Sequence, residues 1–216
     1  MPDRPYRRTC RQFSNGLYSS YDFGDPYGTA QYISHPGYAQ EPANYIRSFL
    51  LIQKDLQSVF EYIDPDDKNK RTYSFRILEL LTRTCIEVEA NLKAILTENK
   101  YRSSSDLNMN DYRKVEKSHS LSDYKISVPY WHGVNQIRTP FSAWSNGKIA
   151  KLPWYQVYNA AKYDRNKEFK NATFRQLIDA VCGLAALLSA QFMTIVLFQA
   201  QSTYLTIVQW MVLTIV

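Results

Sequence analysis

The C-terminal part of the chain has no charged residue after Asp179, although the sequence continues to Val216. An apolar run of this kind has to be buried in a protein core or in a membrane, because exposing it to water is unfavourable. The segment 181–198 has just the length that a transmembrane helix requires. Against a membrane span, polar side chains interrupt the run at Gln191, Gln199 and Gln201. A buried helix, a membrane tail and an altered terminus are the three interpretations of this run.

Two earlier segments repeat apolar residues at spacings of three and four, the pattern of an amphipathic helix. The first runs from Asn44 to Ile63 and ends before Pro65, because the residue preceding a proline is forced out of the helical conformation. The second, from Tyr73 to Asn99, is the longest periodic segment of the chain. Its pattern predicts a core helix whose apolar seam comprises Leu78, Leu81, Cys85, Val88, Leu92 and Ile95, widened on one side by Phe75, Ile86 and Leu96.

One carboxylate, Glu89, falls on the apolar side of this second helix when residues advance by about 100° each. A carboxylate in that position requires a hydrogen bond, a cation or a proton. One interpretation is a structural carboxylate that is held by a tyrosine or an arginine of a neighbouring helix. The other is a site residue that meets Lys162, Arg165 or Asn159.

Composition limits the classes of function. The formal net charge is +6 and the pI is about 9.1, which favours an anionic partner, although the basic residues are scattered along the chain. Cys10, Cys85 and Cys182 show no zinc-ligand spacing, so we expect no metal and no cofactor. The last two fall within apolar helical patterns, which predicts buried thiols in a reducing cytoplasm. The basic N-terminus leads into polar residues, so a secretory signal is not indicated.

Residues 1–42 are rich in Tyr, Gly, Ser and Pro and lack helical periodicity, which predicts an irregular N-terminal arm. Its tyrosines are expected to pack over the domain with their hydroxyl groups in water, and stacking on nucleic acid is the alternative. These tyrosines are Tyr18, Tyr21, Tyr27, Tyr32 and Tyr38.

The sequence of residues 102–152 predicts an irregular insertion into the helical domain. We expect a short helix from Leu107 to Lys117, a strand from Tyr124 to Val128 and a tight turn of the hairpin type from Ser145 to Lys148. Three large aromatic residues are expected to pin the insertion onto the helices: Trp131, Phe141 and Trp144. The surroundings of His119 and His132 are polar and rich in turns, which is typical of surface histidines.

Polar residues at helical spacing precede the apolar run. On a continuous helix, Asn159, Tyr163 and Asn166 would line one face with Lys162 beside them. The opposite face would pack through Trp154, Val157 and Ala161. A further helix is expected to begin at Thr173, because Thr173 and Gln176 have the spacing of a capping box.

The segment 154–165 reads Trp-x-x-x-Tyr-Asn-x-x-Lys-Tyr-Asp-Arg and is followed by a long helix rich in Leu and Ala. It resembles the C-terminal motif of uncharacterised bacterial proteins in the HEPN-like all-helical superfamily. Residues 89–96 are similar to a Glu-x-x-x-Lys-Ala segment on an early long helix of that superfamily. The resemblance implies an all-α, HEPN-like helical bundle over 43–199. It makes the first half of the apolar run a bundle helix that ends near Gln191 or Phe192, and leaves 200–216 as an apolar tail.

Active HEPN ribonucleases carry an Arg-Asn-x-x-x-His type of motif, in which arginine and histidine contact the scissile phosphate between two subunits. In one alignment Tyr158 and Tyr163 occupy the arginine and histidine positions, and in another Arg165 and Asn166 are kept but Lys170 replaces the histidine. Tyrosine and lysine titrate near pH 10, so neither exchanges a proton readily at neutral pH. Phosphate binding needs charge and hydrogen-bond donors rather than a titrating group, so the absence of the histidine would not abolish it.

The resemblance therefore implies a domain that binds RNA or another anionic partner in a defence or toxin–antitoxin setting, as a cytoplasmic homodimer. The phosphate-binding residues would be Asn159, Lys162, Tyr163, Arg165 and Asn166. At most a weak ribonuclease activity is expected, and its catalytic candidates are Arg165, Lys162 and Glu89. The alternative is a non-catalytic scaffold, dimeric or tethered to a membrane by its C-terminal segment, in which the charges at 162–165 form inter-helix ion pairs.

Overall fold

The structure is a computed structural model that describes residues 6–13, 36–103, 106–147, 151–199 and 212–215, without the side chains of 12–13, 193–199 and 212–215. The described chain is mostly helical, which confirms the predicted fold class at that level. Its helices are α1 (Pro42–Phe60), α2 (Phe75–Glu98), α3 (Met109–Tyr112), α4 (Glu116–His119), α5 (Pro153–Tyr163), α6 (Arg165–Glu168) and α7 (Phe174–Gln199). Its strands are β1 (Tyr124–Ser127), β2 (Ile137–Arg138) and β3 (Val212–Ile215).

The long helices α1, α2 and α7 form the centre of the core, and α5 packs beside them. Helices α2 and α7 run parallel, because the Phe174 amide donates to the Thr72 carbonyl at one end (2.7 Å) and the Gln191 amide group donates to Asn91 at the other (2.9 Å). Helix α1 runs antiparallel to both, since Phe60 near its end packs against Phe174 with ring centroids 5.9 Å apart.

The apolar seam of α2 is buried as predicted, but its wider side differs from the prediction. Phe75 and Ile86 were expected in the core and are instead 68% and 49% exposed. The buried surface extends the other way, over Thr84 and Asn91. These polar side chains are compatible with burial because they are hydrogen-bonded: the Thr84 hydroxyl donates to a carbonyl one turn earlier (2.7 Å), and Asn91 accepts from Gln191.

Helix α7 begins where the sequence predicts, but a neighbouring loop supplies acceptors for its first amides. The amides of Phe174 and Arg175 donate to the carbonyls of Thr72 and Lys70, at 2.7 and 3.1 Å. The side-chain oxygen of Gln176, which the capping box would have used, is buried and has no hydrogen-bond partner among the described residues. Tertiary contact thus fixes the start of α7 beside the start of α2.

Helix α7 occupies the middle of the core. Every residue from Leu177 to Phe192 except Asp179 is buried by the rest of the protein, which favours the buried-helix interpretation of the apolar run. The helix continues to Gln199 instead of ending near residue 192, because neither Pro nor Gly interrupts it there. Across the side chains that the structure describes, no helix is both long and apolar enough to cross a membrane. The segment 181–198 extends beyond those side chains.

Part of the C-terminal tail belongs to the sheet. Strand β3 pairs antiparallel with β1, so that Tyr124 lies opposite Ile215 and Ser127 opposite Val212. Strand β2 pairs antiparallel with the other edge of β1, which gives the order β2-β1-β3. No secondary structure was predicted for this tail, although its β-branched composition is typical of a strand.

The insertion differs in detail from its prediction. The helix expected over 107–117 is divided into α3, a 3-10 turn at Arg113–Val115 and α4, whereas the predicted strand is confirmed as β1. The described part of the expected turn, residues 145–147, follows a 3-10 turn at Ser142–Trp144 rather than a strand, and Lys148 lies outside the described residues. Burial of the three large aromatic residues is confirmed, at Trp131, Phe141 and Trp144.

Asp67 anchors the loop between β1 and β2. Its carboxylate accepts from the Trp131 indole (3.0 Å), the Val134 amide (2.9 Å) and the Asn135 side chain (2.9 Å). Burial raises the pKa of Asp67, but these hydrogen bonds outweigh it and lower that pKa to about 2. Gly133 has a φ of +112°, and a Cβ there would stand 2.4 Å from the Asp67 carboxylate, so the close approach requires glycine.

The described parts of the N-terminal arm enter the core. Arg8 and Tyr38 are fully buried, and the Tyr38 hydroxyl donates to the Gln191 carbonyl. The expectation of a wet hydroxyl is therefore wrong for Tyr38. The other four tyrosines of the prediction lie outside the described residues: Tyr18, Tyr21, Tyr27 and Tyr32.

His119 is 2% exposed, so the expectation of a surface histidine is wrong for it. Its ring lies against the N-terminal segment, with Nε2 2.9 Å from the Arg8 carbonyl. His132 is exposed, as expected. The predicted burial of Cys85 and Cys182 is confirmed, and burial raises the pKa of both thiols.

Candidate nucleic-acid interface

The segment with the predicted site residues is not one continuous helix. Helix α5 ends at Tyr163, and Asp164 leaves the helical conformation with φ −140° and ψ 79°. Its carboxylate accepts from the Lys167 amide at 3.1 Å and so caps the short helix α6. The expectation that Asn166 shares a face with Asn159 and Tyr163 is therefore wrong, because the chain turns between them.

All the predicted phosphate-binding residues nevertheless reach the surface. Lys162, Tyr163, Arg165 and Asn166 are exposed, Tyr163 by 81%, and Asn159 is half-buried. The packing face expected at Trp154, Val157 and Ala161 is confirmed for Trp154 and Ala161, with Val157 half-buried.

The end of α5, α6 and the following 3-10 turn form what we term the basic segment, residues 162–170. It carries four exposed cations, Lys162, Arg165, Lys167 and Lys170, and none of them forms an ion pair with a described residue. Both of its carboxylates have local partners: Asp164 caps α6, and Glu168 accepts from the Asn171 side chain at 2.6 Å. The inter-helix ion pairs of the scaffold interpretation are therefore not formed by the described residues of this segment.

Three aromatic rings border the basic segment, and we term them the aromatic platform: Tyr73, Phe75 and Phe169. Phe75 stacks on Phe169 with centroids 4.4 Å apart and planes at 27°. The Tyr73 ring stands edge-on to Phe169 at 5.4 Å and 89°. Phe75 is 68% exposed and Tyr73 42%, so the platform opens to solvent.

Sequence reasoning missed the aromatic platform because Phe75 fits the apolar period of α2. A second pattern was present in the same residues. Arg71-Thr72-Tyr73-Ser74-Phe75-Arg76 and Lys167-Glu168-Phe169-Lys170 each place aromatic rings between basic residues. Basic residues interleaved with aromatic ones are typical of nucleic-acid-binding surfaces.

Glu89 is half-buried, and the Tyr155 hydroxyl of α5 donates to its carboxylate. This agrees with the interpretation of a structural carboxylate held by a neighbouring tyrosine. Burial, and then the hydrogen bond to Glu89, raise the pKa of Tyr155. Burial and the charge of Glu89 also raise the pKa of Tyr158 to about 12. The Tyr155 hydroxyl therefore remains protonated at neutral pH and donates to the carboxylate.

No ion pair joins the three catalytic candidates in the described part of the chain. Glu89 forms no ion pair with Lys162 or Arg165 in the described part of the chain. The Lys162 ammonium lies instead over the Tyr158 ring, 5.9 Å from its centroid. Arg165 is exposed on α6, beyond the turn at Asp164.

We expect Glu89→Ala to lower the free energy of unfolding by about 1 to 3 kcal/mol, because it leaves the buried Tyr155 hydroxyl without its acceptor. Glu87→Ala is the matched control on the same helix and is expected to cost well under about 1 kcal/mol. Urea unfolding of the two variants measures the difference. Equal losses, or a larger loss at Glu87, would show that the Tyr155–Glu89 bond does not hold α5 on α2.

Among the residues that the structure describes, no three His, Cys, Asp or Glu side chains are grouped to hold a metal ion. Comparison of the chain with protein-family models, with curated proteins and with solved structures gives no match.

Proposed function

We propose that this chain is a HEPN-like helical domain that binds RNA, or another polyanion, through the basic segment. The observation that carries the proposal is the set of four exposed cations at 162–170 without an ion pair among the described residues, beside carboxylates that are engaged locally. Charges left in this state attract phosphate, because no ion pair has to be broken first.

The chemical composition of the basic segment suits a phosphate backbone. The guanidinium of Arg165 matches two phosphate oxygens at once, and the lysine ammonium groups add charge without a fixed geometry. The amide groups of Asn159 and Asn166 supply neutral donors. Such contacts orient the backbone and carry no base sequence information, so binding of low sequence specificity is expected.

Strong ribonuclease activity is not part of the proposal. The basic segment contains no histidine, the residue type that most readily exchanges a proton at neutral pH. The resemblance to HEPN proteins supports a cytoplasmic homodimer in a defence or toxin–antitoxin setting, with cleavage weak or absent.

The test replaces three cations together, as Arg165→Gln/Lys167→Gln/Lys170→Gln. The matched control is Arg47→Gln/Lys54→Gln/Lys93→Gln, which removes three exposed cations from α1 and α2. We expect the first variant to weaken binding of an RNA of about 12 nucleotides by roughly tenfold or more, and to reduce the slope of log affinity against log salt by about 2. Fluorescence anisotropy over a salt series measures both quantities.

Equal weakening in the two variants would mean that only net charge matters and that the basic segment is not the site. A chain that binds no RNA but sediments as a dimer would favour the scaffold alternative. That alternative has one observation in its support: three apolar side chains on β2 and the loop before it are exposed, namely Tyr130, Val134 and Ile137.

A further inference from the structure

We propose that the aromatic platform stacks against unpaired bases, so that the ligand of the basic segment is a single-stranded nucleic acid. This inference rests on the proposed function and specifies its ligand. Phosphate contacts alone do not distinguish single strands from duplexes. An exposed ring face does distinguish them, because only an unpaired base can stack on it.

The geometry of the platform leaves one ring face open. Phe169 covers one face of Phe75 in a stacked arrangement at 4.4 Å, and 68% of Phe75 remains exposed. The edge-on contact of Tyr73 with Phe169 at 5.4 Å braces the supporting ring from the side. A ring supported from behind presents a flat surface at a fixed angle, so a base that stacks on it does not have to order it first.

The backbone on either side of the platform is fixed as well. Phe75 is the first residue of α2, which Ser74 caps by accepting the Ile77 amide at 3.2 Å. Tyr73 forms an antiparallel bridge with Thr173, next to the start of α7. Tyr73 and Phe75 therefore project from the anchored start of α2, and Phe169 from the 3-10 turn that precedes α7. Rings on anchored backbone form a better defined recognition surface than rings on a frayed loop.

Charge around the platform is complementary to a nucleic-acid strand. Arg71 and Lys170 are exposed and form no ion pair with a described residue, and Lys170 directly follows Phe169. Arg76 pairs with Glu79 at 3.2 Å, but both side chains are mostly exposed, so the pair is weak and the guanidinium remains accessible. Each ring of the platform thus has a cation within two residues of it in the chain, which can meet the phosphates of a bound strand.

A duplex does not fit this surface in the same way. In a double helix the base faces are already stacked on each other, and only base edges and the backbone meet a protein. A base reaches a flat ring only when it is unpaired, and it can then stack on the aromatic side chain. The platform therefore predicts a preference for single strands.

The experiment measures anisotropy of a labelled RNA of about 12 nucleotides, and of the same strand annealed to its complement, with Phe75→Ala. We expect single-strand affinity to fall by roughly tenfold and duplex affinity to stay unchanged. The salt slope of single-strand binding should also stay unchanged, because no charge is removed. Phe75→Trp should keep the affinity, since it retains a stacking face.

Ile86→Ala is the matched control, because Ile86 is also an exposed apolar residue of α2, at 49%. Thermal unfolding of each variant checks that it is folded. Equal effects of Phe75→Ala and Ile86→Ala, or an equal loss of duplex affinity, would overturn the inference while the cation triple variant still reports on the basic segment. Loss of binding in the cation variant with no effect of Phe75→Ala would leave the proposed function standing and remove the stacking role.

Discussion

Replacing Arg8 with alanine is expected to lower the free energy of unfolding by about 3 to 5 kcal/mol. Arg8 is fully buried, and its Nε donates to the Glu98 carboxylate at 2.7 Å. The Glu98 side chain is itself only 7% exposed. Truncating the arginine would leave a carboxylate almost without water and without its main cation, which is the situation that makes a broken buried ion pair so destabilising.

Other contacts of the same guanidinium add to the expected loss. Its two remaining nitrogens donate to the Gln191 side chain (3.1 Å) and the Gln40 carbonyl (2.8 Å). The group also lies over the Tyr45 ring, 4.4 Å from its centroid. Arg8 therefore ties the N-terminal segment to α1, α2 and α7 at once, and its left-handed backbone (φ 58°) is a strained conformation that these contacts maintain.

Urea unfolding of Arg8→Ala measures this loss, and Arg7→Ala is its neighbouring control. Arg7 is partly exposed and lies 3.8 Å from Glu98, so its removal should cost under about 1 kcal/mol. Arg8→Lys should fall between the two, because it keeps the charge and loses the planar set of donors. A small effect of Arg8→Ala would mean that the N-terminal segment is not part of the cooperative unit.

The sequence could not have predicted the role of Arg8. Its partners are about 90 and 180 positions away in the chain, and no local pattern connects residues at that separation. The residues around it are polar and irregular, so the segment has the composition of a surface arm. Only the packing of α1, α2 and α7 creates the buried space in which Arg8 meets Glu98.

The long helices were predictable because their apolar periods repeat over many residues. Predictions from the sequence were wrong where a single residue determines the local structure or its exposure. Asp164 ends α5 through its own backbone conformation and then caps α6, and a carboxylate in a helical pattern is equally typical of an exposed helix face. Phe75 has the period of the core, but its ring stacks on Phe169 at the surface and remains 68% exposed.

The basic segment of the candidate site was predictable from the sequence, and the aromatic platform was not. The cations of the basic segment are adjacent in sequence, so their common surface follows from the chain itself. The aromatic platform joins Phe75 to Phe169 across a long separation, and the fold alone brings these rings to 4.4 Å. Glu89 was identified from its place on the helix, but its choice of Tyr155 over Lys162 depends on the rotation of α5.

Acidification from about pH 7.5 to about pH 5 is expected to lower the free energy of unfolding by about 2 kcal/mol through His119 alone. Burial lowers the pKa of His119 from 6.5 to about 4, against hydrogen bonds to the Arg8 and Val115 carbonyls that raise it. The ring is enclosed by polar atoms, with Nε2 2.9 Å from the Arg8 carbonyl oxygen and Nδ1 2.8 Å from the Ser118 hydroxyl oxygen.

Stability falls on acidification because the unfolded chain binds a proton at His119 at a higher pH than the folded protein does. Above pH 6.5 the ring is neutral in both states, so its contribution to stability is fully present. As the pH falls, the unfolded chain is protonated near its ordinary pKa while the folded ring resists protonation down to about pH 4, and stability is lost across that interval. The complete loss is about 3 kcal/mol, since each pH unit of difference is worth about 1.4 kcal/mol.

Urea unfolding at a series of pH values tests this with two variants. His119→Gln should be less stable at neutral pH but should lose the slope between about pH 6.5 and pH 5. His132→Gln, which changes an exposed histidine, should keep that slope. Asp67, whose pKa is lowered to about 2, acts only at lower pH. Burial raises the pKa of Asp179, but this carboxylate contributes equally in both variants and cancels from the comparison. A slope that survives in His119→Gln would show that the buried ring is not the group that resists protonation.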